Sequence, residues 1–114
     1  ACEAVVTLKG SATLTLSNDN GEQVVMTYDE KSRTFAMDRT KSGLKDFSDD
    51  FAALTVAPTR GKLSQLRLFI DRSSIEAIDA DGKMAMTNLV FPTKPYNKLT
   101  IKGKGKYVVY NLNK

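Results

Sequence analysis

Tryptophan and histidine are absent, and cysteine occurs once, at Cys2. Without histidine, the usual nucleophile–histidine triads and most zinc sites are unavailable. A single cysteine rules out an internal disulfide and any thiolate metal cluster. Its place beside the first residue suggests an inert thiol rather than a nucleophile. The lack of tryptophan removes one ring on which the CH faces of sugars could stack. No run approaches the roughly 18 apolar residues of a membrane-crossing helix, and no signal peptide is visible. The chain opens at Ala1 without a methionine, so a trimmed chain or a fragment is expected, and missing targeting signals carry little information.

Charge is present but mild. Much of the net +4 sits in Lys94, Lys98, Lys102, Lys104, Lys106 and Lys114. A basic tail can attract phosphates, yet no nucleic-acid motif accompanies it. Lysines turned outward on edge strands, where charge blocks unwanted pairing, are the preferred explanation. At 114 residues, 41% hydrophobic and 26% charged, the chain suits one globular domain over residues 1–114.

What fills the chain is alternation. In Ser11–Ser17, Ala12, Leu14 and Leu16 share one face while Thr13 and Thr15 share the other. That period of two marks a strand with one buried face. Ala4–Lys9, Gln23–Tyr28, Thr34–Asp38, Ala52–Ala57, Lys98–Lys102 and Lys106–Leu112 read the same way. Polar clusters at Asn18–Gly21 and Asp29–Arg33, with Pro58–Gly61 and Gly103–Gly105, supply turns. Arg39–Asp50 lacks alternation; Leu44, Phe47, Phe51 and Leu54 recur at helical spacing, but a long loop is preferred to a short helix.

The centre is Leu66–Pro92. Leu66, Leu68 and Ile70 alternate with Arg67, Phe69 and Asp71; a turn follows, then a strand over Ile75–Ala80. Asp81-Gly82 is a two-residue hairpin signal, and Met84–Val90 closes the meander. About ten strands with turns every ten residues or so indicate an all-β domain of two stacked antiparallel sheets or a closed barrel. Local pattern alone does not separate the two.

The same stretch carries a resemblance. Phe69, Ile70, Asp71, Ser73, Ser74, Ile75 and Glu76, then Gly82, Thr87, Phe91 and Pro92, resemble the signature of the C-terminal β-sandwich module of glycoside hydrolase family 32. The segment from Met26 to Gly43, with its Asp38-Arg39-Thr40, is similar to an upstream strand–turn–strand of that family. The resemblance covers roughly residues 11 to 112 and implies a two-sheet antiparallel β-sandwich of concanavalin-like jelly-roll type. It implies an accessory module of a levanase-, inulinase- or invertase-type β-fructosidase, with the N-terminal catalytic propeller of the same polypeptide as partner. Fructan is implied as a second partner, and a bacterial export compartment fits a polymeric substrate. The family's Arg-Asp-Pro and Asn-Asp-Pro motifs are missing, and Cys2-Glu3 reverses the Glu-Cys order of its acid/base, so no catalytic residue is carried over.

Candidate chemistry is therefore sparse. Glycoside hydrolysis needs two carboxylates flanking the scissile bond, and Asp71 and Glu76 bracket the central turn. A structural role is preferred: Asp71 stabilising the turn and Glu76 pairing with an arginine. Asp38-Arg39 and Asp71-Arg72, each followed by a hydroxyl residue, are expected to form a charge cluster with Glu76, serving an intramodule salt bridge, a module interface or a sugar hydroxyl. Tyr28 and Tyr110 fall in register with apolar neighbours and are expected in the core, whereas Tyr96, in a proline-flanked loop, is the expected exposed sugar-stacking residue. Asp19, Asn20, Asp79 and Asp81 lack a recognised calcium loop and read as solvated turn residues. No metal, cofactor, nucleic acid or membrane is implied. The rival readings are an independent carbohydrate-binding module and a purely structural or adhesive sandwich.

Overall fold

The computed structural model describes residues 2–39, 54–61, 63, 65–71, 73–79, 82, 84–90, 96–103 and 106–111. Within them lie ten strands: β1 (Cys2–Thr7), β2 (Ala12–Ser17), β3 (Gln23–Asp29), β4 (Thr34–Asp38), β5 (Leu54–Pro58), β6 (Gln65–Ile70), β7 (Ser74–Asp79), β8 (Ala85–Leu89), β9 (Lys98–Gly103) and β10 (Lys106–Asn111). The expected strands all form, with ends shifted by a residue or two. The loop-or-helix question over Arg39–Asp50 falls, beyond Arg39 itself, outside the described residues, as do Lys104–Gly105 and the Tyr107 and Tyr110 side chains.

Two antiparallel sheets result. One has the order β1-β6-β7-β8 and the other β10-β9-β2-β3-β4-β5. The alternation seen in sequence becomes the division between inside and outside. Leu14, Leu16, Val24, Met26, Tyr28, Phe35 and Met37 from the larger sheet join Leu66, Leu68, Ile70, Ile75 and Ala77 from the smaller in one buried cluster. This is the arrangement in which each sheet hides one face on the other, a β-sandwich rather than a closed barrel. Among the described residues no helix is long and apolar enough to cross a membrane.

Polar groups in the interior tie the layers together. The Leu63 N–H donates to the Tyr28 hydroxyl at 3.0 Å. Asn88, on β8, accepts from the Thr55 hydroxyl at 3.1 Å and donates to the Met37 sulfur at 3.3 Å. Buried polar groups need such partners because an unmet one costs about 1–3 kcal/mol. Asp79 corrects one expectation. It is 1% exposed rather than solvated, because the alternation of β7 carries through Ile75 and Ala77 to turn its side chain inward.

The turns follow their chemistry. At Asn18–Glu22 the Asn18 side-chain oxygen accepts from the Asn20 and Glu22 N–H groups at 3.0 and 3.1 Å, and Gly21 takes φ 79. The β7–β8 loop is longer than the two-residue turn expected from Asp81-Gly82: the Asp79 N–H donates to the Met84 carbonyl, and Gly82, at φ 74, donates to that of Asp79. In the β3–β4 turn Arg33 sits at φ 55, a left-handed conformation that β-carbon sterics penalise. Arg33→Gly is expected to raise stability by about 0.5–1 kcal/mol, the relieved strain exceeding the added entropy of the unfolded glycine. Urea denaturation at neutral pH reads the change directly.

Candidate functional site

Partners directly opposite in antiparallel strands project from the same face of the sheet. On the outer face of the four-stranded sheet this builds one row. Glu3 on β1 faces Phe69 on β6, Phe69 faces Glu76 on β7, and Glu76 faces Thr87 on β8. With Asp71 and Ser74 these residues line an open groove of about 550 Å³. Phe69 remains 36% exposed and gives the groove an aromatic floor.

The charges around that floor are mostly engaged. Glu3 pairs with Arg67 at 3.2 Å, both side chains about half exposed (45% and 51%). At that exposure the pair contributes little to stability, about 0–1 kcal/mol. The Thr87 hydroxyl donates to Glu76 at 3.4 Å. Among the described residues Glu76 thus meets a threonine, not the arginine expected for it; Arg72 lies outside them. The Asp71 N–H donates to the Ser74 carbonyl at 2.9 Å, and the Val90 N–H to that of Ser73 at 3.0 Å, so the β6–β7 turn is pinned at both sides.

The second acidic–basic pair lies at the same end of the sandwich. Asn88 is opposite Ile75 in the smaller sheet and bonds to Met37 and Thr55 in the larger. The Asp71 end of one sheet therefore overlies the Asp38 end of the other. Asp38 closes β4, and Arg39 is buried at 5% exposure, where loss of solvent lowers its guanidinium pKa. Asp38, Arg39 and Asp71 all have bonding or electrostatic partners.

Tyr96 does not join the groove. It is 6% exposed within the core cluster, which corrects its expected place as an exposed stacking residue. The cause is a non-local clamp. The Asn97 N–H donates to the Ser17 carbonyl at 2.9 Å and the Asn97 side chain to Asp19 at 3.1 Å, folding the segment under the β2–β3 turn. Burial, followed by the Glu22 carboxylate, raises the phenol's pKa far above the ordinary value.

As chemistry, the groove can hold and orient a ligand. It does not enclose one. Glu3 and Glu76 stand two strand spacings apart, about 10 Å, across a shallow surface that leaves water free access, unlike the water-excluding sites that catalysis relies on. Among the described residues no three acidic or thiol side chains come together to hold a metal ion.

Residues 3–113 match the family model described as "Glycosyl hydrolases family 32 C terminal". The chain belongs to this C-terminal domain family. Related proteins include a levanase of Bacillus sp. (strain L7), 33% identical over 79 residues, covering 68% of this chain and 9% of that protein. An extracellular exo-inulinase of Aspergillus niger is 32% identical over 91 residues, covering 77% of this chain and 16% of that protein. The chain thus spans a small part of the relatives it matches. The crystal structure of exo-inulinase from Aspergillus awamori superposes with a TM-score of 0.69 at 21% identity, over 96% of this chain and 25% of that one, a likeness of fold.

Within this family 32 C-terminal domain, the family signature over Phe69–Glu76 is also what builds the groove. Its turn residues shape the rim and its outward residues form the floor and one wall. Glu3 was not legible as a wall residue, because β1 pairs with β6 across more than half of the chain and nothing local announces that register.

Proposed function

We propose that residues 1–114 form the accessory C-terminal module of a fructan- or sucrose-cleaving β-fructosidase. The observation that carries this reading is the match to the family's C-terminal domain over residues 3–113, in a chain that spans only 9% of the levanase and 16% of the exo-inulinase. The partner is a catalytic propeller in the same polypeptide. The sandwich packs on it, covers apolar surface and stabilises it, and has no hydrolytic activity of its own. Interfaces between domains of one chain commonly bury about 600–1,500 Å², enough to raise the stability of both.

The test compares three proteins: the full polypeptide, its form ending before Ala1, and the 114-residue chain alone. The full form hydrolyses fructan or sucrose. The truncated form melts several degrees lower, and the isolated chain releases no fructose from sucrose, inulin or levan. Hydrolysis by the isolated chain, or an unchanged melting temperature on truncation, refutes the accessory role.

A further inference from the structure

A groove runs across the outer face of the four-stranded sheet. Its floor is an exposed aromatic ring, and its walls are oxygen acceptors. A carboxylate offers about four lone-pair sites. Glu3 spends part of that capacity on Arg67, and Glu76 part on Thr87. What remains faces the groove as spare acceptor capacity; Arg67 offsets the charge of Glu3, while the Thr87 hydroxyl leaves that of Glu76 in place. Such acceptors suit the hydroxyl donors of a polyhydroxylated ligand. The row from Glu3 to Thr87 crosses three strand spacings, about 14 Å. An open trough of that length fits a segment of a chain better than a single enclosed ring.

We propose that this groove binds a neutral polyhydroxylated chain, an oligosaccharide, with Phe69 as the stacking platform and Glu3 and Glu76 as hydroxyl acceptors on either side of it. Phe69 replaces the tryptophan the chain lacks: its ring offers an apolar face to the CH surface of a sugar. Ser74 and Thr87 add hydroxyls that both donate and accept. The choice of fructan-derived oligosaccharides as first ligands rests on the β-fructosidase reading; the groove itself does not.

The experiment titrates the isotope-labelled 114-residue chain with short levan- and inulin-derived oligosaccharides, and separately with cello-oligosaccharides and an arginine-rich peptide, following amide shifts. Fructan oligosaccharides are expected to shift Glu3, Phe69, Glu76 and Thr87 with one saturating affinity. Phe69→Ala weakens binding by at least about tenfold, while Phe69→Tyr, which keeps the ring, retains it. Because Phe69 lies outside the core, both variants fold, and their unshifted remaining resonances verify it. No groove shifts with any saccharide up to about 10 mM, a weak-binding limit, overturns the proposal. Groove shifts with the peptide alone also overturn it, and make the face a protein-docking surface. Groove binding of cello-oligosaccharides without fructan keeps the site but counts against the fructosidase reading.

Discussion

Phe35→Ala is expected to lower the unfolding free energy by about 3–5 kcal/mol, the usual cost of removing a core phenylalanine. Phe35 is completely buried on β4, opposite Tyr28 on one side and Ala57 on the other. Its loss leaves a cavity on the larger sheet's inner face, one strand in from the edge strand β5, where neighbours held by strand pairing on both sides collapse poorly. Against a total stability of about 5–15 kcal/mol, the variant loses a large share. Its melting temperature is expected to fall by about 15–25 °C on the usual scaling for domains of this size. Phe69→Ala is the matched control: same residue type, one sheet away, on the outer face. It is expected to change stability by less than about 1 kcal/mol. Equal losses in the two variants contradict the division of faces on which both the core and the groove depend.

Tyr96→Phe removes an alkaline weakness. In the folded chain, burial and then the Glu22 carboxylate keep the Tyr96 phenol protonated well above its ordinary pKa of 10.0. In the unfolded chain the same phenol ionises near 10. Above that pH the unfolded state holds fewer protons than the folded one, so stability falls as pH rises. The contribution is intact below pH 10 and is lost progressively as pH climbs toward the raised folded value. Between pH 10 and 12 the wild-type chain is expected to lose stability more steeply than Tyr96→Phe, the extra slope approaching about 1.4 kcal/mol per pH unit once the unfolded phenol is ionised. Paired urea titrations at pH 8, 10, 11 and 12 read the difference. Parallel pH profiles for the two proteins contradict the buried phenol. Tyr96→Ala additionally opens a cavity and is expected to cost about 3–5 kcal/mol at neutral pH.

Phe69 and Tyr96 also mark where sequence reasoning succeeds and where it stops. Phe69 alternates with Leu68 and Ile70, so its outward position was readable from period alone, and the strand pattern of the sandwich was legible for the same reason. Tyr96 has no such neighbours. Flanked by a proline and polar residues, it looks like an exposed loop residue, but its burial is decided by the Asn18–Glu22 turn, far away in sequence. Asp79 failed similarly: its residue type suggests solvent, and its strand position prevailed. Most of the groove was legible, since Phe69, Asp71, Ser74 and Glu76 stand within one strand–turn–strand signature and Thr87 in the strand after its hairpin. Glu3 enters only through the β1–β6 register, which no local pattern encodes.

The most direct test of the accessory-module account is the coding sequence upstream of Ala1. The account predicts a stretch of roughly 300–350 residues, about the size of a propeller of five four-stranded blades, carrying Asn-Asp-Pro, Arg-Asp-Pro and Glu-Cys motifs. A start codon immediately before Ala1, or an unrelated domain in that place, would contradict it and leave a sandwich whose function must be sought in its own groove.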